Sequence, residues 1–473
     1  MSGVDTRMSF PFSAGRRELK HAPARAVGLL VGLAAATPGV AAQLPGLPLR
    51  PWHILILAAL TVSLFFHFRK RSREPVKFHK IEIAVVAATS AMLVAEYINS
   101  TDLNYAADYV SATHYVFWLV IYYAARLVIF NEVDAKRILV WFTLPAFPSV
   151  AIGVAQVLGV TAVQMAVVKL SPGGLGFISR LESGFLLRAT GLVQHWTLFG
   201  SYLCTVVAAS GALLVLARRR GVGSSTYAWL TIGVASLGVL TTFTLAPIIT
   251  AIVIVLLCAW RARSLKRMVA IALLLSGLSA MAFGGLMSVR IEQQFAQKGV
   301  ASSSGAWSLV PSTLLYRYRI WTTETIPMVA ERPLTGWGAG VYDGARGSED
   351  AGRIYPSRLF WASPESQWLA IMMNYGFLGL AGFSILLSYM AAVVHRAYRS
   401  GMQWIASPSS ALFFLMFLSA FTAPVLTSYG FPFGMWMLLG VMAAMSRGKP
   451  HSSSSIISHS ANQNRAGTAG PRH

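Results

Sequence analysis

Apolar runs separated by short, mostly basic segments fill nearly the whole chain, and most approach the ~20 residues that an α-helix needs to cross a bilayer. The runs cover residues 26–42, 51–67, 81–98, 114–130, 138–158, 198–217, 227–242, 247–260, 268–289, 367–394, 410–426 and 431–445. They predict an all-α polytopic membrane protein of about twelve transmembrane helices. The alternation fails in one place. Between residues 290 and 366 the chain is polar and carries Arg, Gly and Trp, which predicts one long loop containing short helices. Loops of that length are functional or disordered, and Trp307, Trp321, Trp337 and Trp361 argue against disorder.

The basic clusters set the orientation. Arg69-Lys70-Arg71, Lys136-Arg137, Arg218-Arg219-Arg220, the stretch 261–267, the stretch 395–399 and Arg447 all fall between alternate pairs of runs. The positive-inside rule makes their side cytoplasmic. Asp102, Asp108, the segment 160–196 and the long loop then share the other side.

Composition agrees with a membrane chain: 55% of residues are apolar and 12% charged. The net charge of +22 would suit nucleic acid. The cations, however, are dispersed between apolar runs and no nucleic-acid motif accompanies them, so membrane lipid is the expected partner instead. Cys204 and Cys258 lie inside apolar runs, and no Cys-x-x-Cys or His-x-x-x-His pair occurs, so neither a metal nor any other cofactor is expected. The organisation reads as a basic cytoplasmic N-terminus (1–25), one transmembrane domain (26–446) that includes the loop 290–366, and a disordered cytoplasmic tail (447–473). The first run, ending in Val40-Ala41-Ala42, fits a cleavable signal peptide or a first transmembrane helix, with the same topology either way.

Candidate chemistry gathers outside. Arg317 and Arg319 offer forked donors suited to phosphate oxygens, or else snorkel or pair with Glu324 or Glu331. They sit at the start of an expected amphipathic surface helix over 321–329. The run Gly336-Trp337-Gly338-Ala339-Gly340 reads either as a phosphate cradle or as tight turns, and Arg332 and Tyr342 flank it as candidate substrate-binding residues. Glu365, just before the helix starting near Gln367, is either a helix N-terminal charge or a general base. The segment 160–196 adds Arg188, a second candidate cation for the substrate, and His195, a satisfied polar contact or a substrate-binding group.

Taken in order, these motifs resemble the O-antigen ligase and Wzy-type polysaccharide polymerase superfamily. That family's periplasmic loop carries Arg-x-x-x-Trp, matched by Arg317 to Trp321, then Pro-Leu-x-Gly-x-Gly, matched by Pro333 to Gly338. The closing Glu-x-Gly-x-x-Gly is matched by Asn374 to Gly379, with Asn374 where Glu is usual. Arg188-Ala189-Thr190-Gly191 resembles the family's Arg-x-x-Gly segment, although Gln194-His195-Trp196 stands where Asn is usual. Glu365 occupies the position at which ligases carry a functional His, a departure that favours a polymerase.

The resemblance implies a metal-independent, inverting glycosyltransferase of the bacterial inner membrane. It would polymerise undecaprenyl-pyrophosphate-linked oligosaccharide repeats at the periplasmic face, with a flippase and a chain-length regulator as partners. In that reading Glu365 and Arg317 are catalytic, and Arg188, Arg319, His195, Arg332 and Tyr342 bind substrate. The alternative within the family is a ligase acting on lipid A core or another acceptor. The alternative of another class is a lipid-linked sugar transporter, but transporters keep functional polar groups near the bilayer midplane, whereas these lie outside it.

Overall fold

The computed structural model describes residues 22–40, 50–69, 80–99, 106–171, 187–266, 312–339 and 363–446, with Val341 and a few positions between 269 and 289. Among the described residues the structure is helical, with no strand. The expected basic N-terminus up to His21, the disordered tail and almost all of the run 268–289 lie outside the described residues.

Every other apolar run forms a helix. In chain order these are α1 (Ala22–Ala36), α2 (Pro51–Arg69), α3 (Lys80–Asn99), α4 (Ala106–Val128), and the consecutive pair α5 (Glu132–Thr143) and α6 (Ala146–Val157). After the short α7 (Thr161–Leu170) come α8 (Trp196–Arg220), α9 (Ser225–Thr241) and α10 (Leu245–Arg261). The loop contributes α11 (Ser312–Ile320), a π-turn (Trp321–Thr325) and α12 (Ile326–Glu331), and the chain closes with α13 (Gln367–Arg399), α14 (Gln403–Ser419) and α15 (Phe431–Met445). Among the described residues, five spans are long and apolar enough to cross a bilayer: α2, α3, the joined α5–α6, α8 and α13. The chain is a multi-pass membrane protein.

The bundle is built around α8, which is buried inside the protein from Phe199 to Leu216. It packs against α5, α9, α10, α14 and α15. The first helix is equally part of the core, with Val27, Val31, Ala34 and Ala35 fully buried. It seats closely because Gly28 and Gly32 form a Gly-x-x-x-Gly face against α5, where added Cβ atoms would run into the Ile138 and Phe142 carbonyls.

The ends of the helices agree on which residues share a side. At one end Arg126 pairs with Glu82, Arg220 with Glu132, and Arg261 with Gln403 and Tyr398. At the other, Gly39 meets Leu192, Arg188 meets the α9–α10 turn, and Asn99 meets the long loop.

Two boundaries differ from expectation. The run expected at 410–426 forms its helix over Gln403–Ser419, because Trp404, Ile405 and Ala406 already pack inward, whereas Pro424 cannot donate and disfavours helix at Ala423. The surface helix expected over 321–329 begins at Ser312, which puts Arg317 and Arg319 in the last turn of α11 instead of at a helix start.

The α1–α5 seat is testable. Gly28→Leu should force α1 off α5 and lower the thermal midpoint of the purified protein. Gly233→Ala, where a Cβ meets nothing within 4 Å, should leave the midpoint unchanged or slightly raised.

Candidate functional site at the loop end of the bundle

The site is held up by an opening in α13. At Gly376 the backbone turns to φ 62° and ψ −161°, outside helical space. Phe377 and Leu378 would ordinarily donate to the Met373 and Asn374 carbonyls four residues back. Instead they donate to Pro333 and Leu334 of the loop, at 2.7 and 3.1 Å. The vacated carbonyls accept from Trp337 and Gly338 at 2.8 and 2.9 Å. The loop is thus inserted into the helix, and all four groups remain satisfied.

Glycine is required on both sides of this insertion. A Cβ on Gly376 would collide with the Leu334 carbonyl, and one on Gly336 with the Met373 carbonyl oxygen and the Asn374–Tyr375 peptide. Both residues also have positive φ, 62° and 67°.

Helix α3 clamps the same loop from the other side. Asn99 donates to the Thr335 carbonyl at 2.8 Å and accepts from Arg332 at 3.3 Å, while fully buried Glu96 accepts from the Ala339 N–H at 2.7 Å. Arg332 lies 4.2 Å from the Trp337 ring centroid, and Trp337 itself donates to the Met328 carbonyl. Four successive N–H groups, from Gly336 to Ala339, are therefore engaged by protein, and of the two readings of the glycine run the structure gives the turn. Gly340 and Tyr342 lie outside the described residues.

Just before this loop, Arg317 sits four residues ahead of Trp321, where the π-turn begins. The local sequence explains that turn. The Thr322 and Thr323 hydroxyls donate back to the Tyr318 and Arg319 carbonyls, and Pro327 cannot donate and crowds the carbonyl four residues earlier. Trp321 then donates through Nε1 to the Pro364 carbonyl at 2.6 Å, tying α11 to the residue before Glu365.

Glu365 has φ 51°, an uncommon conformation for a side-chain-bearing residue and one that concentrates at functional sites. Its N–H donates to Ser363 Oγ, and the following Gln367 is fixed by its own N–H to the Ala420 carbonyl and by Thr427 on its amide oxygen. The Glu365 carboxylate meets Arg317 Nη2 at 3.3 Å, with the side chains 37% and 22% exposed respectively. Arg317 Nη1 donates to the Thr313 carbonyl, and its buried Nε has no hydrogen-bond partner among the described residues. Arg319 is exposed, with no side-chain partner among the described residues. An open cation–carboxylate pair with unused guanidinium donors beside it can bind an anion and move a proton.

Residues 228–384 match a family model described as O-antigen ligase. The match supports the O-antigen ligase and Wzy superfamily, a glycosyltransferase-like class of ligases and polymerases. It takes in the π-turn, the inserted loop, the opening in α13 and the Arg317–Glu365 pair. No curated protein matches the chain.

Arg188 and His195 precede the matched stretch and are held differently. Buried Arg188 donates to the Thr242 and Phe243 carbonyls and to the Thr244 hydroxyl, closing the C-terminus of α9, and lies 4.4 Å from the Trp196 ring centroid. His195 is the N-cap of α8, with Nδ1 accepting from the Thr197 N–H. Fully buried Gln156 accepts from the Thr190 and Gly191 N–H groups and fixes the segment between them. Of the candidates named from sequence, the structure joins Arg317 to Glu365, while Arg319, two residues further along α11, is exposed and faces away from Arg317. Arg188 and His195 are engaged with backbone groups at helix ends, and Arg332 with the Asn99 side chain and the Trp337 ring.

Sequence reasoning missed Glu96, Asn99 and Gln156. Glu96 and Gln156 are polar residues set in apolar runs and Asn99 directly follows one, and that is the signal by which an ionisable or amide side chain in a membrane segment is found.

Two positive-φ positions should respond in opposite directions. Gly376→Ala should cost more than about 2 kcal/mol, from strain and lost backbone bonds. Glu365→Gly should stabilise the fold by about 1 kcal/mol while removing the carboxylate. Thermal unfolding of the two purified variants checks both signs.

Proposed function

We propose that the chain is a glycosyltransferase that polymerises lipid-pyrophosphate-linked oligosaccharide repeats, with undecaprenyl pyrophosphate as carrier, on the extracytoplasmic face of the bacterial inner membrane. The observation that carries the reading is the Arg317–Glu365 pair, accessible at the loop end of the bundle and inside the family match.

The donor pyrophosphate displaces the Glu365 carboxylate from Arg317 and takes the forked donors of Arg317. Glu365, released, accepts the proton of the acceptor sugar hydroxyl. The hydroxyl oxygen attacks the anomeric carbon, the bond from that carbon to the pyrophosphate oxygen breaks, and the electron pair leaves on the pyrophosphate. The guanidinium stabilises that developing charge, as a divalent cation does elsewhere. Direct attack inverts the anomeric centre. Arg188, Arg332 and His195 act as positioning residues for the outer segments in this scheme.

Glu365→Gln should lower polymer formation by about 10² or more, with single lipid-linked repeats accumulating. Normal polymer length in that variant removes Glu365 from the mechanism. Arg317→Lys retains charge without the fork and should lose about 10² in rate. Purified enzyme in EDTA should retain full activity; loss in EDTA with recovery in magnesium contradicts the role given to the guanidinium.

The second reading is a ligase, favoured by the description of the matched family. The glycan of a deletion strain separates the two. Single repeats on the final acceptor mean a lost polymerase, and long polymer stranded on its lipid carrier means a lost ligase.

A further inference from the structure

The opposite end of α8 carries a feature that the proposed chemistry does not use. Where α8 and α10 finish side by side, a cleft of about 730 Å³ is lined by Arg218, Arg219, Arg261, Arg263 and Lys266, with no acidic residue among the lining groups. Trp260 and Leu265, 60% and 46% exposed, form an apolar wall of the same cleft.

Helix termini account for part of this charge only. Two C-terminal helix ends present roughly half a negative charge each, far less than five cations neutralise. Nor are the cations loosely arranged. Arg219 donates to the Arg261 carbonyl at 2.6 Å, and Arg261 donates to Gln403 Oε1 at 2.9 Å and to the Tyr398 hydroxyl at 3.3 Å. Arg261 Nε is buried with no hydrogen-bond partner among the described residues. Arg263 holds φ 52° in the turn after α10. The volume is that of a small-molecule site, the charge calls for a polyanion, and the apolar wall calls for a hydrocarbon chain leading away from it.

We propose that this cleft binds the headgroup of an anionic phospholipid carrying two phosphates. The phosphates take the guanidinium forks, and the acyl chains leave along Trp260 and Leu265. The site lies about 37 Å from the reacting end, the length of the 25-residue α8.

The test uses purified full-length protein in detergent, with cardiolipin, phosphatidylglycerol or phosphatidylcholine added and retained lipid read by native mass spectrometry. Cardiolipin should be retained about tenfold more than phosphatidylglycerol, and phosphatidylcholine hardly at all. Arg218→Gln with Lys266→Gln should lower cardiolipin retention about tenfold. Arg69→Gln with Lys80→Gln, which removes the same charge from α2 and α3, should leave it unchanged. Arg263→Gly removes a third cation at a backbone position glycine adopts readily, so it should lose binding while keeping its thermal midpoint. Equal losses in the two double variants would mean diffuse surface charge and overturn the proposal. So would complete displacement of cardiolipin by an equal concentration of inorganic pyrophosphate.

Discussion

The exchange of backbone hydrogen bonds between the loop and α13 is the constraint on which the rest of the loop end depends. A helix opened within a membrane protein leaves polar groups that water cannot reach, each costing several kcal/mol if unpaired. Here the opening is filled by residues 333–338, so the same four bonds that repair α13 also anchor the loop. From that anchor the chain runs back through Trp337 and Met328 to the π-turn and Arg317, and α13 runs back to Glu365. Two groups 48 residues apart in sequence are thereby set 3.3 Å apart.

Glu96 and Asn99 make the anchor three-sided. Their helix, α3, packs along α13, so burial of apolar surface between the two helices also holds the carboxylate and the amide in reach of the loop. The arrangement places rigid membrane helices beneath a loop-borne site, the usual division of labour between scaffold and chemistry. The buried cations Arg188 and Arg126 serve structure in the same manner, one closing a helix end and the other paired with Glu82.

Much of this was legible in the sequence because membrane burial enforces it. Apolar runs marked eleven described helices or helix pairs, and the spacing of basic clusters assigned each helix end to a side that the pairings at both ends of the bundle respect. Arg317 and Glu365 were legible as charges at an apolar boundary. The contacts that Arg188, Arg332 and His195 make within the chain were not, since a cation or imidazole outside the membrane looks alike whether or not a neighbouring carbonyl, amide or ring lies against it. The opening at Gly376 was hidden for another reason: the residues after it are as apolar as any helix, and only the loop that enters it reveals it. The earlier start of α11 was missed because Ser312 to Arg319 has no apolar periodicity, its helix being continued into the π-turn and tied down through Trp321.

The enclosure of α8 bears on how the chain assembles during synthesis. This helix is surrounded largely by segments made after it, among them α14 and α15 near the C-terminus. Its Ser201, Thr205 and Ser210 are fully buried. When α8 first leaves the translocon, those hydroxyls have lipid or chaperone beside them until α14 and α15 arrive. A nascent chain stalled before α14 would therefore present its intended centre as an exterior.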